Sequence, residues 1–113
     1  MTEEAIIKSA NELAELFKIS DLYKDYLRYK KALEEDPLLT ERVAAYKKLQ
    51  MALELKRLEH GTADFEEEKH VAHYYAELSL HPIAGPFLGC EHSLLDLYRQ
   101  VFDIITDACE MSE

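Results

Sequence analysis

His70, His73 and Glu77 are the first residues of this 113-residue chain to weigh for chemistry. At positions i, i+3 and i+7 they set two imidazoles and a carboxylate along one helix face, an arrangement that suits zinc or iron. Glu67 with His70 also repeats the Glu-x-x-His spacing of carboxylate-bridged di-metal bundles. Such a centre takes a second Glu-x-x-His and further carboxylates directed into a core, and the chain offers no second copy. On the helical wheel His70, His73 and Glu77 point away from Val71, Tyr74 and Leu78. The expectation is therefore a solvated face with no metal, and the alternative is a metal-binding protein or metal-dependent enzyme using these three residues.

Cys90-x-His92, with His81 close in sequence, offers further ligand types, but residues two apart on a helix diverge by about 200° and do not chelate together readily. Cys90 and Cys109 both fall on the apolar half of the last helix, where a free cysteine packs as a small hydrophobe. At a rise of about 1.5 Å per residue they lie about 28 Å apart, too far for an intrachain disulfide. Glu91 is the odd residue of that helix, because it falls within the apolar arc and a buried carboxylate needs a partner. Arg42 and Arg57, which intrude on the apolar side of the third helix in the same way, are the expected partners. Glycine-rich phosphate loops, Gly-x-Ser-x-Gly elbows and spaced Cys-x-x-Cys pairs are absent. No catalytic residue and no cofactor is expected, and the chain does not read as an enzyme.

The elements that carry these residues are helices. Thr2 followed by Glu3 and Glu4 starts the first, whose apolar residues Ile6, Ala10, Leu13, Ala14 and Phe17 recur at helical spacing. Ser20 and Asp21 restart the pattern, and the apolar arc from Leu22 to Leu33 spans about 160°. Asp36-Pro37 joins a capping carboxylate to a proline at the first helical position. The third helix then runs about 24 residues to a stop at Gly61.

This third helix has two greasy faces: Leu39, Val43, Tyr46, Leu49 and Leu53 on one, and Met51, Leu55 and Leu58 with Ala44 nearly opposite. Two such faces call for two partners, one in the chain itself and one in a second subunit. Met51, Leu55 and Leu58 are therefore expected interface residues. Tyr23 and Tyr26 are added as aromatic anchors with polar tips. Asp64 and Glu67 make a capping-box-like start for the fourth helix, which stops before His81-Pro82. The fifth starts either at Pro82 with a distorted first turn or after Gly85, and from Phe87 onward its apolar residues fill half the wheel. The fold class expected is an all-α, five-helix antiparallel bundle with long third and fifth helices, oligomeric, in a single domain over residues 1–113.

Composition supports that class. Hydrophobic residues make up 48%, while three Gly and three Pro leave little for the turns of a β-sandwich. The net charge of −10 is uneven: residues 1–60 carry 12 acids and 11 bases, and residues 61–113 carry 11 acids and 2 bases. Direct nucleic-acid binding needs clustered Lys and Arg, so it is not expected. No apolar run approaches the roughly 18 residues of a membrane span, and the start is acidic, which together lead to the expectation of a cytoplasmic protein with no membrane contact.

The chain resembles the YlbF/YmcA family of small bacterial helical proteins, which includes the YheA type. The likeness is carried by Ser20 to Tyr26 with its Tyr23-x-x-Tyr26, by Asp36-Pro37-Leu38, and by Tyr46 with Leu49-Gln50. It continues in His81-Pro82-Ile83 and in Phe87-Leu88-Gly89-Cys90-Glu91 with Leu94. The resemblance implies an oligomeric, non-enzymatic regulator of the kind that controls competence, sporulation and biofilm formation. Some members form a complex that adjusts mRNA processing by a membrane-anchored endoribonuclease. Partners implied are the protein itself, as a homodimer or higher oligomer, related helical proteins, or a ribonuclease-regulating complex. Cys90 stands where the family commonly has a small residue, and the cysteine-bearing tail associated with iron–sulfur clusters in some members is not matched, so the chain looks closer to the YheA type.

Overall fold

The computed structural model describes residues 2–110, which form five helices and no strand. These are α1 (Thr2–Ile19), α2 (Asp21–Glu34), α3 (Pro37–His60), α4 (Phe65–Ser79) and α5 (Ala84–Ala108). The all-α class with long third and fifth helices is thus the observed one. The chain divides into two compact units: a central unit, Tyr29–Leu88, and a terminal unit made of Met1–Arg28 with Gly89–Glu113. No described helix is long and apolar enough to cross a membrane.

In the central unit the helix ends follow from local chemistry. Asp36 is extended, and its carboxylate accepts the Leu39 N–H at 3.1 Å, with Pro37 next to it at the start of α3. Thr40 Oγ1 donates to the carbonyls of Leu33 (2.7 Å) and Asp36 (2.9 Å), tying the end of α2 to the first turn of α3. Gly61, at φ +78°, ends α3 in the left-handed conformation and returns its N–H to the Arg57 carbonyl. Asp64 caps α4 by accepting the Glu66 N–H at 3.1 Å. The expected capping box is not completed, because Glu67 reaches across to Lys56 on α3.

Helices α3 and α4 pack antiparallel: Tyr46 meets Tyr74 and Tyr75 at one end, with ring centroids 6.0 and 5.7 Å apart, and Lys56 meets Glu67 at the other. The Tyr74 hydroxyl donates to the Arg42 carbonyl at 3.0 Å. Leu39, Val43, Tyr46 and Leu53 are buried on α3 and Leu78 on α4, so the predicted inner face of α3 is the observed one, with Leu49 half-buried.

The fifth helix starts between the two positions expected from sequence, at Ala84. His81 Nδ1 accepts the N–H of Ile83 (3.0 Å) and of Ala84 (3.3 Å), which is the work of an N-cap side chain, and Pro82 and Ile83 form a turn that leads into the helix. Gly85 N–H already bonds back to the His81 carbonyl. Pro86 has no N–H to return to Pro82, so regular α5 geometry begins only at Ala84. Gly85 is obligatory for a separate reason: a Cβ there would sit 2.4 Å from the carbonyl oxygen of Ser79, the last residue of α4.

The terminal unit is built differently. Ser20 breaks α1 from α2, donating its hydroxyl to the Phe17 carbonyl (2.7 Å) and accepting the Tyr23 N–H (3.2 Å), as a serine cap does. No residue of α1 is buried, and Leu94 is the buried apolar side chain of this unit among the described residues.

Candidate functional site

The His/Glu set does not converge on one point. His73 Nε2 lies 3.1 Å from Glu77 Oε1, one turn along α4, with both side chains mostly in water. His70 turns away from them and stands edge-on to Tyr74, with ring centroids 6.4 Å apart at 82°. It borders an apolar cleft of about 430 Å³ between α3 and α4, lined by Leu49, Leu53 and Val71. Among the described residues no three His, Cys, Asp or Glu side chains come close enough to hold a metal ion. An exposed pair such as His73–Glu77 is worth about 0–1 kcal/mol, and the metal reading finds no support.

The cysteines differ from one another. Cys90 is half-buried, and burial is the main cause pushing its thiol up, with Asp25 adding to the effect and Arg28 opposing it. A thiol held protonated is a poor nucleophile and a poor metal ligand. Cys109 is exposed just past the end of α5, which corrects the expectation that both cysteines serve packing. The Arg57 guanidinium pairs with Glu54 (2.7 Å) and Glu68 (3.4 Å) within the central unit. Asp96 on α5 bonds Arg99 and Gln100, and these hydrogen bonds, Arg99 first, hold its carboxyl below the usual range.

What the structure does present is exposed apolar surface, and it does so in two places. The first is the outer face of α3. Met51, Leu55 and Leu58 are 66%, 52% and 81% exposed, on the side of the helix away from its buried residues. These are the three α3 residues named from sequence as an interface, and they are exposed.

The second place lies in the terminal unit, and sequence reasoning located it only in part. Ala10, Leu13, Ala14 and Phe17 of α1 face Tyr98 and Val101 of α5 across an apolar groove of about 410 Å³. Phe17 and Tyr98 close one end, with ring centroids 4.9 Å apart. Ala10 and Ala14 leave the space, since a larger residue at either would fill it. Tyr23 also lines the groove, and Tyr26 stacks on Tyr23 at 6.3 Å, so the two expected aromatic anchors sit together here, each half-buried.

Beside the groove Leu95, Phe102 and Ile105 continue the apolar surface along α5, at 59%, 64% and 55% exposure. The signal for it was in the sequence. Leu95, Tyr98, Phe102 and Ile105 follow the alternating three–four spacing of a helix seam, which a half-apolar wheel conceals. Nothing in this arrangement activates a nucleophile or holds a phosphate, whereas two apolar helical surfaces on one small chain suit the binding of other helices.

A family model described as "Control of competence regulator ComK, YlbF/YmcA" matches residues 6–110, across both units. A UPF0342 protein of Caldicellulosiruptor bescii is 29% identical to the chain over 104 residues, which cover 92% of this chain and 87% of the relative. A UPF0342 protein of Caldicellulosiruptor saccharolyticus is similar to the same extent, 29% over 104 residues with the same coverage. No solved structure matches the chain.

Proposed function

Because the chain belongs to the YlbF/YmcA family, the family described as controlling the competence regulator ComK, we propose that it is a non-enzymatic regulatory adaptor that acts as an oligomer through protein–protein contacts. The observation that carries this reading is the outer face of α3: three large apolar side chains in water on a helix whose opposite face is already packed. Single exposed apolar residues are ordinary, but a stripe of them on a helix is a surface that another helix covers. The partners this reading names are further copies of the chain and, following the family, related helical proteins or a ribonuclease-regulating complex in the cytoplasm. RNA itself is not among them, since the net charge of −10 opposes phosphate binding.

The test combines light scattering on purified protein with a pull-down from the native organism, for the native chain and for a Met51→Ser/Leu55→Ser/Leu58→Ser variant. The reading expects association of the native chain and recovery of a related helical protein or ribonuclease subunit, both lost in the variant while its helical circular dichroism is kept. A native chain that stays monomeric at every concentration and retrieves no partner would sink it.

A further inference from the structure

Lys48 stands on the outer face of α3 with no acid beside it on its own helix. Its neighbours one turn away on either side are Ala44, Ala45, Met51 and Ala52, all exposed, and Lys48 makes no ion pair among the described residues. Glu59 lies eleven positions further on, along the same flank of the Met51–Leu55–Leu58 stripe, only about 20° from Lys48 at 100° per residue. Its carboxylate is 3.8 Å from the His60 imidazole, with both side chains mostly in water. An unpaired base and a weakly held acid thus border one exposed apolar stripe at its two ends.

We propose that the outer face of α3 packs on the same face of a second copy, the two helices antiparallel about a two-fold axis beside Leu53 and Glu54. This rests on the adaptor reading and deepens it by naming the surface, the occupant and the direction. The midpoint between Lys48 and Glu59 falls between Leu53 and Glu54, and the apolar stripe straddles the same point. Turning a copy about it sets Lys48 against Glu59 of the second copy at both ends of the contact. A parallel pair would set Lys48 on Lys48 and Glu59 on Glu59, like charges facing like. Ala44, Ala45 and Ala52 have no bulk to hold the two backbones apart. Every residue of the contact belongs to the central unit, and a contact of one patch with itself closes at a dimer.

The area involved sets the strength. From Ala44 to Glu59 the contact runs along about 24 Å of helix at 1.5 Å per residue. Two helices touching over that length bury roughly 1,000 Å² in total, the low end for specific association. The dimer accordingly forms and dissociates with protein concentration.

Charge exchange tests the direction as well as the surface. Lys48→Glu and Glu59→Lys change exposed residues, and circular dichroism checks that each variant keeps its helices. In sedimentation at low salt each single variant is expected to raise the dimer dissociation constant about tenfold, because both ends of the contact turn from attraction to repulsion. Mixing the two single variants in equal amounts restores native affinity, since the mixed pair regains an opposite-charge contact at each end. The double exchange Lys48→Glu/Glu59→Lys restores it as well. Recovery on mixing also shows that neither variant was weak for want of folding.

A dimer that Leu55→Gln/Leu58→Gln abolishes but neither single exchange weakens has the α3 faces in another alignment; the proposal falls and the adaptor reading stands. Single variants that weaken the dimer without recovery on mixing overturn it equally. A dimer that survives Leu55→Gln/Leu58→Gln uses a different surface, so self-association stands and the α3 joint is lost. A native chain that is monomeric yet retrieves a related helical protein also overturns the joint and leaves the adaptor reading. One that is monomeric and retrieves nothing removes both.

Discussion

The central and terminal units are made from the same kind of helix yet close in opposite ways. Of the ten buried apolar side chains among the described residues, nine belong to Tyr29–Leu88 and one, Leu94, to the terminal unit. The central unit closes a core: α3 and α4 interlock, their ends are capped, and Leu78 is wholly shielded from water. The terminal unit has apolar residues enough, but Ile6, Ile7, Leu95, Phe102 and Ile105 stay in solvent. The buried core is therefore concentrated in one unit, while most apolar side chains of the terminal unit stay in solvent.

Substitutions on either side of the divide test that separation. Leu78→Ala empties the centre of the core and is expected to cost about 2–5 kcal/mol in urea unfolding. Phe102→Ala, at a protein concentration low enough to keep the chain monomeric, should stay within about 0.5 kcal/mol of native; a loss comparable to that of Leu78 would break the comparison. Glycines on α5 give a second pair. Gly85→Ala drives a Cβ against the Ser79 backbone and should destabilise by about 1–3 kcal/mol. Gly89→Ala meets nothing within 4 Å and should stabilise by about 0.5–1 kcal/mol, as alanine does in a helix interior.

Smaller effects sharpen the picture. His81→Ala leaves the Ile83 and Ala84 N–H groups without their cap and is expected to lower the unfolding free energy by about 1 kcal/mol, with His81→Asn recovering most of it. The smallest test uses the thiols. Alkylation near pH 8 should label Cys109 first, because it is exposed, while Cys90 reacts slowly. Burial holds the Cys90 thiol above the usual range, so raising the pH increases its thiolate fraction and speeds its labelling. Equal rates at pH 8 would show that Cys90 is not in the environment described.

Local chemistry was legible in the sequence. Ser20, Asp36-Pro37, Gly61 and Asp64 each mark a helix boundary through a bond that spans four residues or fewer, and all four stand at the boundaries their chemistry predicts. The inner face of α3 was legible for the same reason, since its spacing is a property of the helix alone. The start of α5 was not, because histidine lies outside the usual capping set, although His81-Pro82 repeats the form of Asp36-Pro37.

Tertiary contacts account for the other misses. Glu67 as a partner of Lys56, Arg57 between Glu54 and Glu68, and Gly85 against Ser79 all depend on which helix lies alongside. The groove was hidden by a similar ambiguity. Half of α5 is apolar by sequence, and nothing in a helical wheel says which part of that half the chain itself will cover.

Helix α1 has one further consequence, for how long a copy of this protein survives. An 18-residue helix that buries none of its side chains is close to the limit at which a helix holds in water on its own hydrogen bonds. It opens at far less cost than the core of the central unit, and an opened end is where a protease begins. Covering the terminal unit closes that route. On the adaptor reading proposed above, a copy whose terminal unit is covered by a partner resists proteolysis longer than a copy left uncovered.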